Sequence, residues 1–259
     1  MTNHTIGIMG AMPEEIDGVI SLMDNPQRTI IGMRAYTSGT INGINTVVVF
    51  SRWGKVAASA TAATLIHFFN ITELIFTGVA GAIDPILNIG DVVLAKRLIQ
   101  HDLDARPLMG RFEIPLLGMT YLEVPEERIG ILKETIAPLF TNRILQESIG
   151  KNVLAKFGIN TPNLHIGDIA SGDQFFAAEA QKQKLNDALP TVLCVEMEGA
   201  AVAQVCYEHS IPFTVIRTIS DTADEKSHVD FPRFISKISS QYSLLIVQHL
   251  YKGHIQPLS

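Results

Sequence analysis

The sequence predicts an α/β domain in which helices cover both faces of a central sheet. Three observations carry this. Short β-branched runs alternate with helical segments along the whole chain. Several runs, ELIFTGVA and FTVIRTIS among them, are apolar on both faces, as strands are when helices lie above and below them. The chain has 259 residues, 47% of them hydrophobic, which is enough to bury one sizeable core.

The elements follow in order. TIGIMG (5–10) is the first strand, closed by glycine. PEEIDGVISLM (13–23) is a helix with Pro13 in its first turn, where a missing N–H costs little. INTVVVF (44–50) is a β-branched strand, and KVAASATAATLIHFF (55–69) a helix. ELIFTGVA (73–80) and DVVLAKRLIQ (91–100) are strands. Residues 101–125, HDLDARPLMGRFEIPLLGMTYLEVP, show neither period and form the one long irregular connection. Loops of that length serve a site or an interface. EERIGILKETIAPLF (126–140) is a helix, HIGDIAS (165–171) a strand, 179–188 a helix and VLCVEM (192–197) a strand. GAAVAQVCYEH (199–209) is a buried helix and FTVIRTIS (213–220) the last strand. FPRFISKISSQYSLLIVQHLY (231–251) closes the chain as a long helix with Pro232 in its first turn. No repeat, low-complexity tract or linker divides it, so residues 1–259 read as a single domain.

Composition narrows the function. The formal charge is −6 with no cluster of Lys or Arg, which disfavours binding to a nucleic-acid backbone and suits a small or weakly charged partner. No apolar run approaches the roughly 18–20 residues of a membrane span. MTNHTIGIMGAM lacks the basic head and long apolar region of a signal peptide. A cytoplasmic protein without a membrane segment is expected. Cys194 and Cys206 both lie in apolar stretches and read as buried, reduced thiols. HDLD (101–104) contains ligand-type residues, but no H-e-x-x-H or C-x-x-C pattern accompanies it, so no metal is expected.

The chemistry gathers at strand ends. GIMGAM (7–12) and GVAGAI (78–83) each follow a strand. Neither is a dinucleotide or phosphate-loop pattern, and a tight turn explains each alone. Glu14 and Glu15 fall in the first turn of the following helix, where carboxylates complement the dipole. A carboxylate there would repel a phosphate, so the loop suits a water or a cation. Glu196 and Glu198 end one strand and Asp221 ends another. Ligands of open α/β sheets bind beyond such ends. Capping or a solvated loop explains any one acid. Together they describe a pocket that stabilises a cationic transition state and supplies a general acid and a general base. Cleavage of a glycosidic bond needs those roles. Phe175 and Phe176, in SGDQFF, fit either the core or a stack on a flat heterocycle.

GAMPEE, SRWGKVAA, TGVAG, IASGDQF, VEMEGAA and IRTISDTADEKSH occur in this order. Together they resemble the methylthioadenosine/S-adenosylhomocysteine nucleosidases of the purine nucleoside phosphorylase-like superfamily, over about residues 5 to 250. The resemblance implies a three-layer αβα fold around a twisted mixed sheet. It implies a cytoplasmic homodimer that hydrolyses the adenine–ribose bond of a small adenine nucleoside, without metal or organic cofactor. It makes Glu15 the water-activating base and Asp221 the acid that protonates adenine N7, with Ser220 beside it. Glu198, helped by Met197, would hold the ribose hydroxyls. Phe175 would stack on adenine, and backbone groups of Phe176 would meet its edge. Arg217 would organise the Glu15 end, and Phe231 would lie near the ribose and 5′ group. Residues 101–125 would reach the neighbouring subunit's pocket. Two positions depart from the pattern. Val79 stands where many relatives have a serine that contacts the water. Trp53 stands where a small aliphatic residue is common near the 5′ substituent, and packing explains it equally well. Three competing readings are a nucleoside phosphorylase, a 6-amino-6-deoxyfutalosine hydrolase and a non-catalytic nucleoside sensor.

Overall fold

A computed structural model of the chain describes residues 4–141 and 143–253. The sequence readings for residues 1–3, and for both ends of the expected 1–259 domain, lie outside them. The strands are β1 (Thr5–Gly10), β2 (Asp24–Ile31), β3 (Arg34–Ile41), β4 (Ile44–Phe50), β5 (Glu73–Ala82), β6 (Val92–Gln100), β7 (Leu122–Glu123), β8 (Leu164–Ser171), β9 (Val192–Glu196) and β10 (Phe213–Asp221). They join one mixed sheet in the order β10-β6-β8-β9-β5-β1-β4-β3-β2, with β7 on β6. β10 also pairs with β5, so β5, β9, β8, β6 and β10 close into a ring. β1 runs parallel between β4 and β5.

Alternation along β1 shows how the helices are layered. At Gly10 a Cβ would meet Ile16 of α1 (Pro13–Ile20). At Gly7, on the other face, it would meet Leu65 of α2 (Lys55–Phe69). α1 packs with α10 (Ser240–Lys252), and α10 with α3 (Glu126–Ile136). α2 packs instead against α8 (Gly199–Glu208). This is the expected α/β arrangement with a mixed central sheet. Both cysteines are free and buried. No helix among the described residues is long and apolar enough to cross a membrane.

Several boundaries differ from the sequence reading. Residues 24–41 form the hairpin of β2 and β3, which the sequence reading leaves unassigned. β2 is an edge strand and exposes most of its length, so it lacks an apolar signature. Both turns that flank β3 have a local cause. Gly32–Met33 and Asn42–Gly43 all take positive φ, as two-residue hairpin turns with primed geometry require. The 126–140 helix divides at Pro138 into α3 and α4 (Pro138–Thr141), because proline has no N–H to continue the helical ladder, although Ala137 before it keeps helical backbone. Further short helices, α5 (Ile144–Ile149) and α6 (Lys151–Ala155), precede β8, and α7 (Glu179–Ala188) precedes β9. The closing helix begins earlier than expected, as α9 (Ser227–Phe234). Pro232 therefore lies in its interior rather than its first turn, and a π-helical turn over Ile235–Ser239 leads into α10.

Candidate active site

The ends of β1, β5, β8, β9 and β10 converge on one cleft, the place where open α/β sheets bind ligands. Glu15, Glu196, Glu198 and Asp221 all line it. Val79, Ser220 and Met197 lie between these acids, and Trp53, Phe175, Phe176 and Phe231 supply aromatic surface.

Glu15 is 1% exposed and folds back over the turn between β1 and α1. Its Oε2 accepts the N–H groups of Ala11 (2.5 Å) and Met12 (3.0 Å). Its Oε1 accepts the Val79 N–H at 3.1 Å. The glycine motifs make room for this carboxylate. A Cβ at Gly78 would come within 2.8 Å of Glu15 Oε1, and one at Gly10 within 2.9 Å of Glu15 Cβ. Gly10 ends β1 and Gly78 lies inside β5, so the second motif is strand rather than the expected turn after one, and both glycines approach a carboxylate rather than a phosphate. Burial raises the Glu15 pKa, against the Arg217 charge and the three backbone donors. A carboxylate raised in this way is a better proton acceptor than one in water.

Asp221 ends β10 and is 3% exposed. Ser220 Oγ donates to its Oδ2 at 2.8 Å, and the Ala223 N–H donates to its Oδ1 at 2.9 Å. Burial raises its pKa more than these donors and Ser227 lower it. The raised pKa favours the protonated form that a general acid needs.

Glu198 is the backbone cap of α8 and accepts the Gly54 N–H at 2.7 Å. Burial and then the neighbouring Glu196 push its pKa up to about 8. Glu196, whose role the sequence leaves open, is a structural anion. It accepts Arg217 Nη2 at 2.7 Å and Nε at 3.2 Å, the N–H groups of Glu198 and Gly199, and the Ser171 hydroxyl. It therefore closes the N-terminus of α8 and neutralises Arg217 together. Arg217 is 1% exposed, does not line the cleft, and lies over the Phe76 ring. Its direct bonds go to Glu196 and to the Phe76 and Ile216 carbonyls, and its charge alone is felt by Glu15. The expected organiser of the Glu15 end thus acts through space.

Val79 offers its backbone N–H to Glu15, and its side chain presents no donor to the cleft. Trp53 is 56% exposed, so core packing does not account for it. It meets Phe231 edge-on at 6.1 Å, and Phe231 meets Phe175 at 5.5 Å. Phe175 remains 41% exposed, with a face available to a ligand, whereas Phe176 is buried. Met12 and Gln174 also line the cleft. Their adjacency to Glu15 and Phe175 was the available signal. In HDLD, Asp102 pairs with Lys55 and Asp104 with Arg106. Among the described residues no three His, Cys, Asp or Glu gather as metal ligands.

Buried acids that can hold or accept a proton face an apolar, aromatic surface. That arrangement can protonate a heteroaromatic leaving group, stabilise a cationic sugar and deprotonate a water on the far side. The comparisons agree with this chemistry. The phosphorylase superfamily matches residues 5–251. The 5′-methylthioadenosine/S-adenosylhomocysteine nucleosidase of Mycobacterium tuberculosis is 32% identical over 257 residues, which are 95% of this chain and 96% of that protein. The nucleosidase of S. pneumoniae, solved with a transition-state inhibitor, superposes with TM-score 0.80 at 31% identity, covering 96% and 97% of the two chains. The futalosine hydrolase of Helicobacter pylori superposes with TM-score 0.81 at 31% identity, covering 97% and 99%.

Proposed function

The chain belongs to the phosphorylase superfamily and to its methylthioadenosine/S-adenosylhomocysteine nucleosidase branch, and from that premise we propose the following reaction. The protein hydrolyses the N-glycosidic bond of 5′-methylthioadenosine, S-adenosylhomocysteine and 5′-deoxyadenosine, releasing adenine and the 5-modified ribose. The observation that carries the reading is the set of buried acids at three strand ends around one cleft, Glu15 after β1, Glu198 after β9 and Asp221 at the end of β10 above all.

In this mechanism Phe175 stacks on adenine and backbone groups of Phe176 meet its edge. Asp221, steadied by Ser220, gives its proton to N7 and makes adenine a neutral leaving group. The C1′–N9 bond breaks and the ribose becomes oxocarbenium-like. Glu198, with Met197 beside it, holds the ribose hydroxyls. Glu15 takes a proton from water as its oxygen bonds to C1′. Arg217 and Glu196 hold this constellation from behind. Trp53 and Phe231 cover the 5′ end. The need for neither metal nor organic cofactor follows from this division of labour. The protein acts in methionine salvage in the cytoplasm. A homodimer with residues 101–125 at its interface is supported by the exposure of Leu108 (87%) and Leu116 (92%) in that segment.

A second reading, 6-amino-6-deoxyfutalosine hydrolysis, is favoured by the likeness to a futalosine hydrolase and by the exposed aromatic wall of Trp53 and Phe231. Adenine release should be compared as kcat/KM across methylthioadenosine, S-adenosylhomocysteine, 5′-deoxyadenosine and aminodeoxyfutalosine. The first two should rank highest. A preference of tenfold or more for aminodeoxyfutalosine would transfer the assignment to the second reading.

A further inference from the structure

HDLD has ligand-type residues but binds its own chain. Asp102 Oδ1 accepts Lys55 Nζ at 2.6 Å, and Asp102 Oδ2 accepts the Asp173 N–H at 2.9 Å. Asp173 Oδ1 in turn accepts the Lys55 N–H at 2.8 Å. Three residues from three distant segments thus close a ring of hydrogen bonds. Lys55 and Asp102 are each 18% exposed at the side chain. Burial works against the Asp102 charge, and the Lys55 ammonium and Asp173 N–H outweigh it, holding its carboxyl below the usual range.

Two members of the ring lie one or two residues from residues that line the cleft. Lys55 follows Trp53 and Gly54, and the Gly54 N–H is the donor to Glu198. Asp173 precedes Gln174, Phe175 and Phe176. No side chain of its own caps α2, so its leading N–H groups are taken by carboxylates from elsewhere, Glu198 on Gly54 and Asp173 on Lys55. Gly54 fits this junction. Its φ is +93°, and a Cβ there would lie 2.9 Å from Asp173 Oδ1. Lys55 Nζ also reaches Gln100 Oε1 at 3.2 Å, which ties the ring to the end of β6. No hydrogen bond joins Asp102, Lys55 or Asp173 to Glu15 or Asp221 among the bonds described above.

We infer that Asp102 is a positioning residue, which through Lys55 and Asp173 sets the relative placement of the Glu198–Gly54 contact and the Phe175 wall. The inference rests on the nucleosidase reading for its kinetic consequence. A partly exposed ion pair contributes little to stability. What the ring supplies is alignment of two substrate-holding loops. Asp221 and Glu15 keep their own anchors when it is lost.

The test compares wild type, Asp102→Asn, Lys55→Met, the double variant and Lys55→Arg. Asp102→Asn should raise KM about tenfold and leave kcat within about threefold, the pattern of lost ground-state placement. Lys55→Met should match it, and the double variant should be no worse than either single one. Lys55→Arg, which keeps the charge on Asp102, should hold KM close to the wild-type value. A merely structural role would instead lower kcat in step with the folded fraction and leave KM alone. Amide exchange supplies a readout that needs no substrate. In Asp102→Asn the amides of Gly54, Lys55 and Asp173 should lose protection together, while those of Ala11, Met12 and Val79 keep theirs. If wild type releases no adenine, the nucleosidase reading fails and exchange alone decides the ring. Unchanged KM with unchanged exchange, or additive variants, would overturn the inference.

Discussion

Replacing Asp221 by Asn removes one proton and almost nothing else. The side chain is 3% exposed and held by Ser220 Oγ and the Ala223 N–H. Asn keeps an acceptor for Ala223, and the Ser220 hydroxyl can turn to meet the new amide, so folding should change by no more than about 1 kcal/mol. Catalysis should change far more. The amide can hydrogen-bond N7 but cannot transfer a proton to it. General acid catalysis contributes about 10²- to 10⁴-fold, which corresponds to about 2.7–5.4 kcal/mol of barrier. Adenine release from methylthioadenosine, followed under saturating substrate, should fall by that factor. The Kd for substrate should stay within about fivefold, since the stacking and ribose contacts remain. The pH profile gives a second reading. Burial raises the Asp221 pKa, so the wild-type rate should decline as pH rises through that value, and the Asn variant should lack this limb. A variant within threefold of wild type would remove Asp221 from the acid role.

Glu15→Gln keeps one accepting oxygen, which serves either the Ala11 and Met12 amides or the Val79 amide but not both, and it cannot accept a proton. Crystals of that variant soaked with substrate should hold the intact nucleoside, and rapid hydrolysis would assign the water to another base. Trp53→Ile should lower the kcat/KM ratio of methylthioadenosine over S-adenosylhomocysteine severalfold. Covering about 40 Å² of methylthio surface stabilises by about 1 kcal/mol, and equal loss on both substrates would reduce Trp53 to packing. Glu198→Gln should change the pH dependence of stability. The Glu198 pKa is raised from 4.5 to about 8 by burial and Glu196, with Arg217 opposing and Glu15 adding. Its stabilising contribution is therefore complete below pH 4.5 and is lost as pH rises through about 8. The Tm of Glu198→Gln relative to wild type should rise across that window, and parallel Tm curves would show that Glu198 titrates normally.

Much of the site was legible because its acids sit at strand ends, and strand ends are visible in a one-dimensional apolar pattern. Glu15, Glu198 and Asp221 could be placed near one another from that pattern alone. The fold class was legible for the same reason, since β5 and β10 are apolar on both faces. What the pattern missed is edge structure and pairing. β2 is mostly exposed and turns into β3 at Gly32–Met33, so the strong local signal, the Asn42–Gly43 dipeptide, marks only the next turn, from β3 to β4. Pro232 is interior rather than N-terminal because Ser227–Asp230, mostly polar in sequence, already belong to the helix. Glu196 and Glu198 share one strand end and differ only in partners. No spacing says that Glu196 meets Arg217, which comes from a different strand 21 residues later. The Asp102 ring joins residues 47 and 71 positions apart, beyond any local pattern.

The central claim is that water, taken by Glu15, attacks the ribose. The most direct measurement is the identity of the sugar product when methylthioadenosine is turned over in phosphate buffer made with ¹⁸O-labelled water. Glu15 fills the place where a phosphate would need donors, so the account predicts free 5-methylthioribose carrying ¹⁸O at C1, at a rate independent of phosphate. Formation of 5-methylthioribose 1-phosphate, with adenine release that depends on phosphate, would contradict it.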